Sequence, residues 1–183
     1  MIVGTLVVVG LMIVAVIASY NRLVRLRQNV RESWSAIETE LRRRYDLIPN
    51  LVETVKGYAS HERGTLEAVV QARNAAVANN GDPASQAQTE NALSGALRQV
   101  FALSEAYPEL RANENFRELQ QQLEETEHRI SQARRFYNAN VREINTAVES
   151  FPSSLIADNF GFKPEPYFEI EEAAARGPVA VQF

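Results

Sequence analysis

LRRRYDLIPNLVETVKGYASHE, Leu41 to Glu62, is the stretch on which the fold turns. Three consecutive arginines run into Asp46 and Pro49, and an apolar helical pattern follows. Read locally, this is a corner between two helices. Asp46 fits an N-cap, its carboxylate accepting backbone N–H bonds from the next turn. Pro49 then falls in that first turn, where a missing N–H costs little. Arg42, Arg43 and Arg44 lie at the end of the preceding helix, where positive charge offsets the macrodipole. The competing use for the arginines is a docking patch for a partner. A second pattern argues for a different backbone. The seven-residue series Arg27, Trp34, Leu41, Ile48, Val55, Glu62, Val69 keeps its phase straight through Pro49, as one long helix kinked at proline would. The corner is preferred, because an uninterrupted helix of roughly sixty residues would leave a long apolar surface uncovered.

Upstream, Ile2 to Ser19 carries no charge. At 1.5 Å per residue this run spans about 27 Å, close to the hydrocarbon core of a bilayer. A cleaved signal peptide is the alternative, but no Lys or Arg precedes the run and Val16-Ile17-Ala18 is a weak cleavage site. Arg22, Arg25, Arg27 and Arg31 follow, with no acid before Glu32. Positive charge beside a membrane segment resists translocation, so the flank places the N-terminus outside and the rest in the cytoplasm. Tyr20, Arg22, Arg25 and Arg27 are the expected membrane-interface anchors. The rest of the chain, about 160 residues, is long enough for one domain with a core.

Net charge is −4, all of it outside the apolar run. An acidic domain is a poor match for phosphate backbones, so no nucleic-acid partner is expected. The absence of cysteine excludes disulfides, thiol nucleophiles and thiolate metal sites.

Beyond the anchor, apolar residues recur at helical spacing and glycine and proline mark boundaries. Leu23, Val30, Trp34, Ile37 and Leu41 define a first segment. Ile48, Leu51, Val55, Tyr58, Leu66, Val69 and Ala76 define a second. NNGDPAS, Asn79 to Ser85, reads as a loop. A third segment carries Leu93, Ala96, Leu97, Val100 and Leu103 and ends near Tyr107-Pro108. The fourth begins near Asn113, runs through Phe116, Leu123, Ile130, Tyr137, Ile144 and Val148, and closes at Pro152. The expected fold is all-α: a transmembrane helix, residues 1–20, continuing into an antiparallel four-helix bundle, residues 21–152. Residues 153–183 are expected to form an irregular aromatic tail. Its Phe160, Phe162, Tyr167 and Phe168 would pack on the bundle or on a neighbouring subunit, with Ala173 to Phe183 a loose end.

Charges on the apolar stripes are the candidate site. Glu62 and Arg73 lie near the inner face of the second segment, and Glu127 and Arg134 on that of the fourth. Unpaired buried charge costs several kcal/mol, so Glu62, Arg73, Glu127 and Arg134 are expected to form one interhelical network that fixes register. Catalysis through these carboxylates is the rival reading. A di-iron bundle needs two Glu-x-x-His motifs. Glu125-Thr126-Glu127-His128 supplies one, but Tyr58 stands where the glutamate paired with His61 should be. Glu125 also lies roughly 200° around the helix from inward-facing Leu123. No phosphate loop or nucleophile elbow is present. No catalytic residue, metal, cofactor or small-molecule substrate is therefore expected. Tyr20-Asn21 and Tyr137-Asn138 repeat a dipeptide near seam positions and read as packing at the bundle ends.

Taken in order, these residues resemble the LemA family of bacterial membrane proteins. The resemblance rests on YNRLVRLRQNV after the anchor, RRRYDLIPNLVETVKGYASHE, Ala72-Arg73, EAYPELRANENFREL, LEETEHRI and ARRFYNANV. Phe151-Pro152 and a closing GF then YFE complete it. One departure is Ile144-Asn145, where relatives often repeat Tyr-Asn. The resemblance implies a single-pass membrane protein with a helical domain, and brings no catalytic residues. Relatives linked to membrane-associated organelle formation fit a scaffold. The expected function is a membrane-anchored scaffold or adaptor at the bacterial inner membrane, its partners the lipid bilayer and further copies or other membrane-associated proteins. A carboxylate- or metal-dependent enzyme and a signalling bundle are the alternatives.

Overall fold

The computed structural model describes residues 2–169. They form six helices: α1 Ile2–Lys56, α2 Arg63–Ala78, α3 Pro83–Ala106, α4 Pro108–Ala112, α5 Glu114–Glu149 and α6 Ser153–Phe160. No strand occurs among the described residues. Residues 2–39 and 131–167 make one compact unit, and residues 40–130 with 168 and 169 make a second. Both α1 and α5 contribute to each.

The expected corner at Pro49 is corrected: α1 runs unbroken from Ile2 to Lys56 with Pro49 inside it. Asp46 is accordingly an exposed mid-helix residue and not an N-cap. The energetics explain why. A proline in a helix interior costs about 3 kcal/mol. Keeping phase through it buries Ile48, Leu51 and Val55 completely, at about 1.5–3 kcal/mol each. Packing of these three side chains holds the helix together through a turn that proline weakens.

Pro49 has a second consequence. It has no N–H, so the carbonyl four residues earlier, on Tyr45, loses its regular helical donor. Tyr45 is buried, and a buried carbonyl needs a partner. Arg73 of α2 supplies it, donating from Nε to the Tyr45 carbonyl at 2.8 Å. The side chain of a second helix thus fills the gap that proline opens in the first.

The aspartate that does cap a helix is Asp82. Its side chain accepts from the Ser85 N–H at 2.8 Å, and Pro83 stands at the first helical position. Asn113 plays the same part for α5, accepting from the Phe116 N–H at 2.9 Å. Both pairings satisfy donors that a helix start otherwise leaves open.

In the first unit the apolar run of α1 lies exposed. Burial begins at Leu23 and continues through Leu26, Val30, Ser33 and Ile37. Trp34 stacks at a tilt on Tyr137 of α5, ring centroids 5.4 Å apart, and Asn140 donates to the Asn29 carbonyl at 3.5 Å.

The tail expectation is corrected in part, because Ser153–Phe160 is a helix. Gly161, at φ 71°, ends it in the left-handed region that glycine alone enters freely. An irregular segment then runs past α5. Tyr137 donates its hydroxyl to the Pro166 carbonyl at 2.8 Å. The Asn145 side chain clasps the Glu165 backbone, donating to its carbonyl at 3.0 Å and accepting from its N–H at 2.7 Å. Phe162 and Phe168 are buried, whereas Phe160 and Tyr167 are exposed. The expectation for Ala173 to Phe183 falls outside the described residues.

Arg73→Ala should lower stability by about 1–3 kcal/mol, the cost of a buried carbonyl left bare. In a Pro49→Ala background, where residue 49 regains its N–H, the same change should cost measurably less. Thermal unfolding of the four proteins in detergent, followed by circular dichroism, reads the coupling. Equal costs in both backgrounds would show that Arg73 does not serve this carbonyl.

Candidate functional site

The buried positions of α1 in the second unit are Leu41, Arg44, Tyr45, Ile48, Leu51 and Val55. Arg44 thus takes a place in the apolar stripe, 1% exposed. On α3 the buried series is Gln86, Ala87, Glu90, Leu93, Leu97, Val100 and Ser104, with Glu90 wholly buried. The two charges meet: Arg44 Nη2 donates to Glu90 Oε2. From the same side chain, Nη1 reaches Glu127 of α5 at 2.5 Å and the Ser94 hydroxyl at 3.2 Å. Its Nε is buried with no hydrogen-bond partner.

Glu90 is held from its other side as well. Tyr45 donates its hydroxyl to Glu90 Oε1. Gln86 Nε2 lies 2.8 Å from the same oxygen, 3.0 Å from the Tyr45 hydroxyl and 3.1 Å from the Ala76 carbonyl of α2. One carboxylate on α3 is therefore tied to α1 directly and to α2 through Gln86, while Arg44 carries the connection on to α5. Burial pushes the Tyr45 hydroxyl above its ordinary value, and the hydrogen bond and charge of Glu90 push it further. A crevice of about 200 Å³ opens beside the pair, bounded by Arg44, Ser94, Leu97, Phe101, Leu123 and Glu127.

The expected network of Glu62, Arg73, Glu127 and Arg134 is placed differently. Glu127 is half-exposed and pairs with Arg44. Glu62 accepts from the Tyr107 hydroxyl at 3.1 Å, a bond that holds the Tyr107 hydroxyl above its ordinary value. Arg73 serves the Tyr45 carbonyl. Arg134 is half-buried in the first unit. Arg44, Tyr45, Gln86 and Glu90 lie outside the expected network. Charge compensation at a helix end groups Arg44 with exposed Arg42 and Arg43, yet it stands three residues after Leu41 and four before Ile48, in the buried stripe. Glu90 likewise stands three residues before Leu93, on the buried face of α3.

Glu125 is exposed and bonded to Arg129 at 2.5 Å, one helical turn on. That bond holds the Glu125 carboxyl below its ordinary value. His61 and His128 are both exposed. Of the interface anchors, Arg22 and Arg25 are exposed, and Tyr20 is just over one-third exposed. Arg27 is half-buried and lies over the Phe162 ring, 4.7 Å from its centroid.

Among the described residues, these features define an all-helical fold with one N-terminal helix long and apolar enough to cross a membrane. Comparison with known proteins makes the class specific. The chain belongs to the LemA family, which it matches over residues 33–183. It is 27% identical to magnetosome protein MamQ 2 of Paramagnetospirillum magneticum, over 95% of this chain and 74% of that protein. It is 23% identical to magnetosome protein MamQ of Magnetospirillum gryphiswaldense, over 91% and 70%. It is 22% identical to Protein LemA of Metamycoplasma hominis, over 90% and 75%.

Arg44→Met should destabilise the protein by about 3–5 kcal/mol, because it strands a buried carboxylate. Adding Glu90→Met should recover much of that loss. Glu127→Ala, at a half-exposed partner, should cost less than about 1 kcal/mol. Chemical denaturation of the three variants checks the order. Tyr45 adds a pH signature. Its folded-state pKa is raised, so its contribution is complete below the ordinary value of 10.0 and is lost as pH rises beyond it. Melting temperature should therefore fall above about pH 10, and Tyr45→Phe should flatten that fall.

Proposed function

We propose that this protein is a membrane-anchored helical scaffold or adaptor. The observation that carries the reading is the wholly exposed apolar run of α1, continuous with a helix whose later turns are buried in a helical domain. A soluble protein would leave that surface in water, whereas a bilayer covers it. The arginines at 22, 25, 27 and 31 favour a cytoplasmic domain and an external N-terminus at the inner membrane.

The organisation we infer for the second unit, to which α1, α2, α3 and α5 all contribute, is an antiparallel four-helix bundle. In the first unit, which holds parts of α1 and α5 but neither α2 nor α3, the contacts at Trp34 and Asn29 support an antiparallel α1–α5 pairing. The ties from Arg44 and Tyr45 to α3, α5 and α2 support the bundle in the second. Polar groups that fix which helices meet suit a rigid presenting surface. Tyr58, Val70 and Val77 leave apolar side chains exposed on the second unit, available to further copies or other membrane-associated proteins.

Cross-linking in intact bacterial membranes should recover oligomers or defined heteromeric partners of the full chain. Recovery of monomers alone would count against the scaffold. A reporter fused after Phe183 should be active in the cytoplasm, and external activity would reverse the orientation.

A further inference from the structure

A second apolar surface lies beside the end of the membrane run. Tyr20 closes that run, and its ring stands 4.8 Å from Phe160, the last residue of α6, and 5.9 Å from Phe162. Helix contacts place α6 at the same level independently. Asn140 of α5 meets Asn29 of α1, and Tyr137 meets Trp34, so rising numbers on α5 correspond to falling numbers on α1. Nine residues beyond Asn140 is Glu149, the end of α5; nine before Asn29 is Tyr20. Both steps cover about 14 Å. The chain therefore leaves α5 and enters α6 where the apolar run ends.

At that level the side chains are the wrong ones for water. Phe151 is 81% exposed, Leu155 55% and Phe160 56%. On α6, Leu155, Ile156 and Phe160 fall within an arc of about 140°. Asn159 sits inside this arc, but its side-chain amide donates to the Leu155 carbonyl at 2.7 Å, which reduces its need for water. Asp158 lies outside the arc, and exposed Lys163 follows the helix. Exposed Arg22 and Arg25 stand just past Tyr20 on α1. Aromatic and aliphatic groups flanked by cations are the composition of a membrane–water boundary.

We propose that α6 and Phe151 form a second membrane contact, an interfacial foot that inserts Phe151, Leu155 and Phe160 among lipid headgroups and upper acyl chains. The occupant is the bilayer surface, because the patch is continuous through Tyr20 with the surface that the spanning segment presents to lipid. The proposal rests on the anchor reading. It adds that the chain returns to the same membrane after the helical domain, so that the domain is held at two points.

The test uses the full chain in vesicles of phosphatidylcholine with anionic phosphatidylglycerol. Trp34 is the sole tryptophan, so a Trp34→Phe background accepts one reporter at a time: Leu155→Trp, Phe151→Trp or Met12→Trp. Quenching is measured with lipids brominated near the headgroup end or near the methyl end of the acyl chain. Leu155→Trp and Phe151→Trp should lose fluorescence several-fold with the shallow quencher and little with the deep one. Met12→Trp should respond to the deep quencher. Native Trp34, about 21 Å beyond Tyr20 along α1, serves as the unquenched reference. Quenching at Met12→Trp with none above that reference at either foot position would overturn the foot and leave the anchor standing. No quenching at any of the three would overturn both. Cross-linking of position 155 to a second copy, without lipid quenching, would assign the patch to protein and overturn the proposal.

Discussion

A guanidinium buried as fully as that of Arg44 has to be neutralised where it stands, because removing an unpaired charge from water costs several kcal/mol. The second unit is arranged around that requirement. Glu90 must face α1, so the register of α3 is set at that turn. Gln86, one turn earlier on α3, joins the same carboxylate to the α2 carbonyl of Ala76. Glu127 draws α5 to the other side of the guanidinium. Apolar side chains alone tolerate sliding by a turn, since one leucine substitutes for another. A single buried pair does not, because every alternative register strands a charge.

The backbone of α1 shows a related economy. Proline in a helix is usually read as an end or a kink. Here the missing donor is replaced from outside by Arg73, and the residue whose carbonyl is rescued, Tyr45, also places its hydroxyl on Glu90. Backbone continuity and the buried ion pair therefore meet at one residue. That coincidence joins four helices through Arg44, Tyr45, Gln86 and Glu90, with Arg73 supporting the turn from α2.

Much of this was present in the periodicity. The helical class, the exposed N-terminal run, the loop from Asn79 and the close of α5 before Pro152 follow from apolar spacing and breakers. The seven-residue series through Pro49 also indicates the unbroken helix, whereas the local capping pattern at Asp46 points to a corner that the helix does not make. Following the 3–4 spacing one step finer would have put Arg44 between Leu41 and Ile48, and Glu90 before Leu93. What periodicity could not supply was which charges would meet, since pairing depends on how helices face one another. Contacts to backbone atoms were equally hidden. Nothing in the pattern around Asn145 or Tyr137 indicates that their polar atoms hold Glu165 and Pro166.

That hidden clasp changes how the last described segment relates to evolution. Asn145 engages the peptide group on both edges, and Tyr137 takes a carbonyl, so neither interrogates a side chain. Recognition of this kind is indifferent to residue identity and sensitive to chain path. Side chains at Glu165 and Pro166 can therefore change without loosening the clasp, whereas Phe162 and Phe168, buried on either side of them in the sequence, tie the same segment to the identity of its residues.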